Sequence, residues 1–412
     1  MSAVAQRSRI ADPTLADEGE RRIRWAARHS PVLTRLAADR LADGALRGRK
    51  VAVVVHLEAK TAYLAVLLAD AGAEVVAAGS NARSTQDSVA AALVRRGIEV
   101  HARHGVSPEE FTADLLAVAD TGPELVIDDG AELTRRILEH RPETRLQGVT
   151  EETTTGVARL RAFEADGKLV FPAIAANNAR CKHMFDNPYG TGQSTLTAVL
   201  RLTNLSAAGK RFAVIGYGWV GRGIAARAAG YGGRVTVVDT DPVQALRAVM
   251  DGHRAASLED AIARADFVIT ATGGTDALPA HALPLLQDKA ILANAGHQDR
   301  EIDVGALGPG EEVRPGVTLH DVGGKRVYLC VGGSLVNIAG GDGNPVEIMD
   351  LSFSVQALSV RELAAGRLPV GVNRFPDELD SLIARTKLES LGISLDQLSA
   401  AQRRALDEWR AG

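Results

Sequence analysis

The chain has 412 residues, of which 46% are hydrophobic and 24% charged, an ordinary balance for a globular protein. At about 100–200 residues per domain, this length predicts two to three domains with ample hydrophobic core. The formal net charge is −4 and both signs are interspersed. The composition therefore excludes the basic stripe of a nucleic-acid-binding protein and the polybasic patch of a membrane-surface protein.

Cysteine usage and hydropathy predict the compartment. The two cysteines, Cys181 and Cys330, lack metal-ligand spacing, which indicates a reducing compartment and gives no sign of a metal site. The N-terminal segment has no apolar signal region, and no apolar run approaches the about 18–20 residues of a membrane-spanning helix. We therefore expect a cytoplasmic protein with a small-molecule substrate and with neither a nucleic-acid nor a membrane partner.

The first half of the chain alternates between predicted helices and strands. A helical segment over residues 12–40 leads into a sequence that reads, in order, strand 50–55, helix 61–70, strand 73–78, helix 86–96, strand 99–102, helix 107–119 and strand 125–127. This rhythm predicts an open, doubly wound α/β domain, in which ligands lie beyond the carboxyl ends of the strands. His56, Asp128 and Asp129 directly follow two of these strands and are candidate site residues.

A second α/β unit begins near residue 210. Its predicted elements are strand 211–215, helix 220–229, strand 234–238, helix 258–264, strand 267–270 and strand 290–294. A G-x-G-x-x-G motif joins the first strand to the first helix. Gly216 permits the tight turn, Gly218 lets the backbone approach a pyrophosphate, and Gly221 lets helix and strand pack closely.

An acidic residue completes this dinucleotide signal. Asp239 ends the next strand, where a carboxylate accepts hydrogen bonds from ribose hydroxyls and repels a 2′-phosphate. The motif therefore predicts NAD and not NADP, either as a co-substrate or as a retained catalyst. Further candidate cofactor contacts are Trp219, Val220, Thr272 and Gly296.

The connections between the two units predict a discontinuous architecture. The segment 181–204 is predicted as a bridging helix, the Gly- and Asn-rich segment 324–345 as the return hinge, and 351–364 as a helix that rejoins the first domain. We predict two doubly wound, Rossmann-like domains: a substrate domain (1–180 and 346–386), an inserted NAD-binding domain (190–345) and a short C-terminal extension (387–412). Hinges near Asn187 and Asn344 would allow closure over a ligand.

Several polar segments have both a structural and a chemical interpretation. The run 150–156 contains two acids and four threonines and could be a loop with a helix cap. Lys182 and Asp186 are four residues apart, so on a helix they share a face and could form a surface ion pair. His56 could be a satisfied strand-end histidine, and the acids at 128 and 129 could cap the next helix.

Taken together, six motifs resemble those of the adenosylhomocysteinase (S-adenosyl-L-homocysteine hydrolase) family. They are STQD (84–87), DDG (128–130), EETTTG (151–156), FDN-x-YG (185–190), GYG-x-VG-x-G (216–223) and LVN (335–337), in the family's order with near-identical spacing. The resemblance covers roughly residues 12–400. It implies an enzyme in which retained NAD oxidises the 3′-hydroxyl of a nucleoside, the 5′ substituent is eliminated, water adds, and the ketone is reduced again.

The resemblance also implies roles for individual residues. Lys182 and Asp186 match the pair at the 3′-hydroxyl, where a lysine of lowered pKa would assist deprotonation. Glu152 matches the acid near the 2′-hydroxyl, and His56 and Asp129 match the acid–base groups near C5′. The matched NAD contacts are Thr153, Thr154, Thr155, Asn187 and Asn337. His297 matches the histidine at the mouth of the substrate channel.

The sequence departs from the family pattern around the nucleobase. Lys60 stands where the family has the Glu or Gln that accepts from the adenine amino group, and lysine cannot accept a hydrogen bond. Pairing with Glu58 or Asp342 would change what Lys60 offers a base. The other altered or neighbouring candidate substrate contacts are Thr61, Thr191, Gln298, Asp342 and Asn344. The family's Lys- and Tyr-containing tail, which reaches the neighbouring subunit's NAD, is not matched in 387–412.

These departures lead to three hypotheses of function. We expect a repurposed enzyme that eliminates the 5′ substituent of a modified nucleoside, for example a water-eliminating nucleoside dehydratase in specialised metabolism. The first alternative is hydrolysis of S-adenosylhomocysteine to adenosine and homocysteine, and the second is a non-catalytic, NAD-binding regulatory homologue. An ordinary dehydrogenase that releases NADH is opposed by EETTTG and by the Lys182–Asp186 pair. The family implies a homotetramer, and a homodimer is equally compatible with the unmatched tail.

Overall fold

The computed structural model describes residues 3–297 and 299–407, and two parallel-rich sheets organise them. In chain order the strands are β1 (Lys50–Val54), β2 (Glu74–Ala78), β3 (Glu99–His101), β4 (Leu125–Asp128), β5 (Gly148–Glu151), β6 (Pro172–Ala175), β7 (Arg211–Ile215), β8 (Arg234–Val238), β9 (Arg254–Ala255), β10 (Phe267–Thr270), β11 (Ala290–Asn294), β12 (Gly310–Arg314), β13 (Val317–Val322), β14 (Lys325–Cys330) and β15 (Gly371–Arg374).

The α-helices pack on both faces of these sheets. They are α1 (Ala3–Arg7), α2 (Ala16–Arg28), α3 (Pro31–Leu36), α4 (Ala59–Asp70), α5 (Asp87–Arg95), α6 (Pro108–Asp120), α7 (Glu132–His140), α8 (Thr154–Ala165), α9 (Arg180–His183), α10 (Gly192–Thr203), α11 (Trp219–Gly230), α12 (Pro242–Met250), α13 (Leu258–Ile262), α14 (Val336–Ala339), α15 (Val346–Ala364), α16 (Asp377–Ser390) and α17 (Ala400–Asp407).

The first sheet has seven parallel strands in the order β15-β6-β5-β4-β1-β2-β3. Its central strand, β1, pairs Val51 with Val75 of β2 on one side and with Leu125 of β4 on the other. Residues 51–54 are buried because helices cover both faces of the sheet, which is why this strand is a continuous apolar run. The final strand, β15, comes from far along the chain and pairs with β6.

The second sheet has eight strands in the order β12-β13-β14-β11-β10-β7-β8-β9. The strands predicted at 211–215, 234–238, 267–270 and 290–294 have the observed bounds of β7, β8, β10 and β11. Both sheets agree with the predicted class, two doubly wound, Rossmann-like α/β units. The antiparallel extension β12–β14 was not predicted, because every residue of β12 is exposed and its sequence shows no apolar alternation.

Two predicted helical segments are interrupted in the structure. The segment 12–40 breaks into α2 and α3 at His29 and Ser30, where Pro31 begins the next helix. The predicted bridging helix 181–204 contains α9, then a π-helical stretch over Asp186–Thr191, and then α10. Pro188 lies within that stretch and has no N–H for a regular helical hydrogen bond. The predicted hinge segment 324–345 contains the regular strand β14 at its start.

Candidate active site

A cavity of about 510 Å³ lies where the carboxyl ends of the two sheets meet. On the first sheet, His56, Asp129 and Glu152 follow β1, β4 and β5 within two residues. On the second sheet, Thr272 and Gly296 follow β10 and β11 in the same way. Strand ends of parallel sheets are the usual place for ligands in this architecture, and the two sheets here contribute to a single cavity.

Most of the site residues predicted from the sequence line this cavity. The lining includes His56, Glu58, Lys60, Thr61, Asp129, Glu152, Thr153, Thr154, Thr155, Lys182, Asp186, Asn187, Thr191, Gly218, Trp219, Val220, Thr272, Gly296, His297, Asn337 and Asn344. The side chain of Asp342 is exposed and lines a neighbouring groove instead. The predicted contact Gln298 lies outside the described residues.

Lys182 is the centre of a buried ionic cluster. Its Nζ lies 3.0 Å from Asp186 Oδ2 and 3.5 Å from Glu152 Oε1, and it donates to Asn187 Oδ1 at 3.1 Å. Lys182, Glu152 and Asp186 are each at most 5% exposed. The predicted pairing of Lys182 with Asp186 is therefore present, although as a buried pair and not as the surface ion pair of the structural alternative.

The electrostatics of Lys182 differ from the sequence prediction. Burial by itself favours the neutral amine, but the carboxylates of Asp186 and Glu152 outweigh it and raise the pKa of Lys182. The expected lowering of this pKa is therefore wrong for the chain as it folds, because the lysine faces two acids. Lys182 is held as an ammonium suited to stabilising an oxyanion.

The pKa of Glu152 is raised as well, but in a carboxyl group this shift favours the neutral form. Burial, moderated by Lys182 and reinforced by Asp186, raises the pKa of Glu152 to about 7. Gln356 donates from Nε2 to Glu152 Oε2 and accepts from Thr150 Oγ1 at 2.8 Å, which fixes the carboxyl group. A carboxyl group that titrates near neutral pH can accept or release a proton under working conditions.

A second cluster of titratable groups forms around Asp129. His56 Nε2 lies 3.5 Å from Asp129 Oδ2, and His297 Nδ1 lies 3.7 Å from Asp129 Oδ1. Ser80 donates to Asp129 Oδ2 at 2.7 Å, whereas the buried Oδ1 has no hydrogen-bond partner among the described residues. Burial lowers the pKa of His56, opposed by Asp129. Each of these three residues offers one atom that could coordinate a metal, and the three atoms lie within 4.8 Å of one another. This spacing is compatible with a metal ion.

The two neighbouring acids at the end of β4 have different environments. Asp128 accepts from the backbone N–H of Leu133 at 3.2 Å and of Thr134 at 2.7 Å, and it therefore holds the start of α7. Asp129 lines the cavity. The structural alternative of a helix cap thus holds for Asp128, whereas Asp129 lies in the cavity, where its chemical role stays a prediction.

Asn344 connects the return segment to the ionic cluster. Its Nδ2 donates to Asp186 Oδ1 and to Thr191 Oγ1, and its Oδ1 accepts from Ser194 at 2.9 Å and from Asn337 at 3.0 Å. The two segments that join the sheets are therefore bonded to each other beside Lys182. Thr191 and Asn344 line the cavity, but their polar atoms are engaged with protein groups.

Lys60 also lines the cavity, and its ammonium group is engaged with protein groups. Its Nζ lies 2.7 Å from Glu58 Oε2 and donates to the Asp342 carbonyl oxygen at 3.0 Å. Glu58 also caps α4 by accepting from the N–H groups of Lys60 and Thr61. Of the three donors on the ammonium, one is left for a ligand in the cavity.

The glycine-rich turn has the shape that a dinucleotide requires. Gly216 has φ +95°, and a Cβ on Gly221 would lie 1.9 Å from the Gly216 carbonyl oxygen, so neither position tolerates a side chain. A Cβ on Gly218 would meet open space. Asp239 Oδ2 accepts from the Tyr217 N–H at 2.6 Å and holds the turn from the end of β8.

The residues present fit the cofactor. The open approach at Gly218 leads to the N-terminus of α11, which offers free N–H groups to a pyrophosphate. Asn337 Oδ1 is buried, lines the cavity and has no hydrogen-bond partner among the described residues. A buried, unpaired amide oxygen is costly unless a ligand completes its bonding.

Three residues near the reacting groups were not predicted from the sequence. Gln356 contacts Glu152, Ser80 contacts Asp129, and Ser84 contacts His56 at 2.6 Å. Ser84 belongs to the STQD motif, so the motif was a signal for it. The sequence contained no signal for Gln356, because it lies on α15, 204 positions from Glu152.

Comparisons with known proteins agree with this geometry. The family models described as "S-adenosyl-L-homocysteine hydrolase" and "S-adenosyl-L-homocysteine hydrolase, NAD binding domain" match residues 7–145 and 187–343. The chain is 48% identical to the adenosylhomocysteinase of Thermotoga maritima, over 95% of this chain and 99% of that protein. It is also 48% identical to that of Archaeoglobus fulgidus, over 96% and 100% of the two chains.

A relative with a different named substrate has a similar sequence identity to this chain. The S-inosyl-L-homocysteine hydrolase of Methanococcus maripaludis is 44% identical, over 98% of this chain and 100% of that protein. The class defined by fold and site is thus an NAD-dependent enzyme of two doubly wound units. The chain belongs to the adenosylhomocysteinase family, and its cofactor is NAD. In the described residues, no helix has the length and apolar character needed to cross a membrane.

The turn offers a test of cofactor binding. We expect Gly218→Ala to leave the free energy of unfolding almost unchanged, because the methyl group meets open space, yet to weaken NAD binding at least about tenfold by blocking the backbone approach. Gly221→Ala is the contrasting variant, in which the methyl group collides with the backbone and lowers stability. Thermal unfolding and NAD titration measure both effects. Equal NAD affinity in Gly218→Ala and the unmodified chain would contradict the proposed cofactor path.

Proposed function

We propose that this enzyme hydrolyses an S-nucleosyl-L-homocysteine to a nucleoside and homocysteine. The observation that carries the proposal is the convergence of all five candidate catalytic side chains on one cavity, in a chain 48% identical to an adenosylhomocysteinase over almost its whole length. The relatives are named as hydrolases of this type. They do not support the dehydratase expected from the base-pocket departures, and they favour the hydrolytic alternative.

The ionic cluster around Lys182 is assigned to the first chemical step, oxidation at the 3′ position. NAD, when bound, supplies the oxidation of the 3′ carbon and its later reduction. We assign Lys182 and Asp186 to the 3′-hydroxyl, where the ammonium stabilises the developing alkoxide. Glu152 is suited to accept the proton, because it titrates near neutral pH and its Oε1 has no hydrogen-bond partner among the described residues.

The cluster around Asp129 is assigned to the elimination. The 3′-ketone acidifies the C4′ proton, and loss of that proton expels the thiolate of homocysteine from C5′. Neutral His56 is a base of suitable strength, and Asp129 stabilises the imidazolium that forms. When water adds at C5′, His56 returns the proton to C4′ and becomes neutral again beside Asp129. His297 stands beside Asp129 and is assigned to the mouth of the substrate channel.

The remaining assignments are also proposals. Domains of 1–180 with 346–386 and of 190–345 would close about the hinges at Asn187 and Asn344. The NAD contacts would be Thr153, Thr154, Thr155, Asn187, Gly216, Gly218, Trp219, Val220, Gly221, Asp239, Thr272, Gly296 and Asn337. We infer a cytoplasmic homodimer or homotetramer, in which the cofactor is retained through the cycle.

The direct test is turnover with defined substrates. Purified protein with NAD is expected to convert S-adenosyl- or S-inosyl-homocysteine to the nucleoside and homocysteine, detected by mass spectrometry, without accumulation of free NADH. Lys182→Met should abolish turnover while the protein still folds and binds NAD. Loss of water from a nucleoside without cleavage of either thioether would restore the dehydratase. Stoichiometric release of NADH would instead identify an ordinary dehydrogenase.

The nucleobase is expected to depend on Lys60. Its free N–H can donate to a 6-oxo group but repels a 6-amino group, while the Glu58 carboxylate is engaged at the cap of α4. We expect Lys60→Gln to shift the ratio of kcat/KM toward S-adenosylhomocysteine by about tenfold, since glutamine supplies an acceptor. Lys50→Gln, at an exposed lysine of β1, is the control. An unchanged ratio would remove Lys60 from base recognition.

The pH dependence is expected to follow Glu152. Protonation of Glu152 removes the proton acceptor, so kcat should fall as pH decreases through about 7, the pKa to which burial raises this group. Glu152→Gln should lower kcat by about two orders of magnitude and remove this inflection. The control is Glu132→Gln, a partly buried carboxylate outside the cavity. An inflection that persists in Glu152→Gln would assign it to another group.

A further inference from the structure

Ser84 lies beside the candidate base but has no role in the scheme above. It ends the short 3₁₀ turn Ala82–Ser84 in the loop that follows β2, and its side chain is buried. His56 Nδ1 lies 2.6 Å from Ser84 Oγ, and Ser84 Oγ lies 2.9 Å from the carbonyl oxygen of Asn81. The hydroxyl therefore sits between an imidazole nitrogen and a carbonyl oxygen.

The direction in which Ser84 donates its hydroxyl proton determines which nitrogen of the His56 ring is protonated. A carbonyl oxygen can only accept, so the 2.9 Å contact places the Ser84 proton on the side of Asn81. Ser84 Oγ then has only lone pairs for His56, and Nδ1 must carry the ring proton. In the neutral ring, Nε2 is left without a proton.

The opposite arrangement makes poorer contacts. If Ser84 donated to Nδ1, the ring proton would be on Nε2, and its nearest carboxylate oxygen, Asp129 Oδ2, lies 3.5 Å away. That oxygen already accepts from Ser80 at 2.7 Å. The alternative thus exchanges a 2.9 Å hydrogen bond for a contact beyond the ordinary hydrogen-bond length.

Side chains before and within the turn that carries Ser84 hold its conformation. Asn81 accepts from the Arg83 N–H at 2.8 Å through its side chain. Arg83 Nη1 donates to Ser334 Oγ at 2.6 Å, and Ser334 follows β14 of the other sheet. These contacts hold the turn, and with it the backbone position from which Ser84 reaches both His56 and the Asn81 carbonyl oxygen.

We propose that Ser84 is a positioning residue that fixes His56 in its Nδ1–H tautomer and presents the Nε2 lone pair to the cavity. Its catalytic consequence rests on the proposed function: Nε2 becomes the nitrogen that takes the C4′ proton and returns it. Ser84 contacts no reacting atom and acts only through His56. A hydroxyl that accepts is sufficient for this task, so a threonine at the same position retains it.

The tautomer is measured directly in the NAD-loaded protein. With ¹⁵N-labelled histidine, and His56 assigned by a His56→Gln variant, two-bond nitrogen–proton spectra distinguish the two ring nitrogens. We expect His56 to show a protonated Nδ1 in the unmodified protein and in Ser84→Thr. In Ser84→Ala we expect a mixture of tautomers. The matched control is Thr85→Val, which removes a buried hydroxyl that donates to the same Asn81 oxygen at 3.3 Å without contacting His56.

Kinetics supply the second readout. Ser84→Ala should lower kcat for hydrolysis by about tenfold with little change in KM, whereas Ser84→Thr and Thr85→Val should stay within about twofold of the unmodified enzyme. Formation of the reduced nicotinamide on mixing, which reports the 3′ oxidation, should keep its rate in Ser84→Ala. A loss confined to elimination is not expected of a variant that is merely less stable.

Two results would overturn the proposal. The first is a protonated Nε2 on His56 in the unmodified protein. The second is a Ser84→Ala variant that matches Thr85→Val in both tautomer and kcat. The spectra need no substrate, so absence of hydrolysis together with the expected tautomer would reject the proposed reaction while supporting the assignment of Ser84.

Discussion

A buried ammonium between two carboxylates is the constraint on which the rest of this site depends. Lys182, Glu152 and Asp186 are all removed from water, and the cost of burying their charges is offset by their mutual attraction and by hydrogen bonds to neighbouring amide side chains. Removing one partner from such a cluster usually costs about 3–5 kcal/mol, since an uncompensated charge remains. The groups of this cluster come from distant parts of the chain. Glu152 follows β5, and Asn344 of the return segment donates a hydrogen bond to Asp186.

That cluster lies between the two units, in the cavity proposed for the reaction. The chain leaves the first sheet after β6 and returns to it with α15, and both crossings are bonded together through Asn344. Closure of the units about these crossings would therefore move the reacting groups and the water-excluding walls together. A ketone formed in such a cavity would be protected from solvent during the elimination.

In the proposed reaction, the cluster around Lys182 serves the oxidation and the cluster around Asp129 serves the elimination. The raised pKa of Glu152 brings its titration close to neutral pH, whereas the lowered pKa of His56 favours the neutral imidazole, which can accept a proton. Burial supplies both shifts, because it penalises the charged form of either group. Lys182 is the exception, since two acids overcome its burial and keep it charged. The pair Glu58–Lys60 is separate from both clusters, and its proposed role is recognition of the nucleobase.

Much of the fold could be predicted from the sequence, because its signals are local. Apolar runs such as 51–54 and the glycines at 216, 218 and 221 act over a few residues, and they predicted the strands and the cofactor turn. Six short motifs carried the resemblance to the family. The antiparallel strand β12 had no such signal, since all its residues are exposed. Motif spacing identified Lys182, Asp186, Glu152, His56 and Asp129, and the tertiary structure brought them into one cavity.

Only the tertiary structure decided the protonation and pairing of these groups. Nothing near Lys182 in sequence predicts that Glu152 would raise its pKa, and nothing near Glu152 indicates Gln356. Ser84 and His56 are 28 positions apart, and their contact depends on β1 and β2 lying side by side. Electrostatics depends on distance and burial, and both are set by the packing of segments far apart in the chain. The sequence by itself therefore determined which residues are candidates, and the fold decided their charge states and partners.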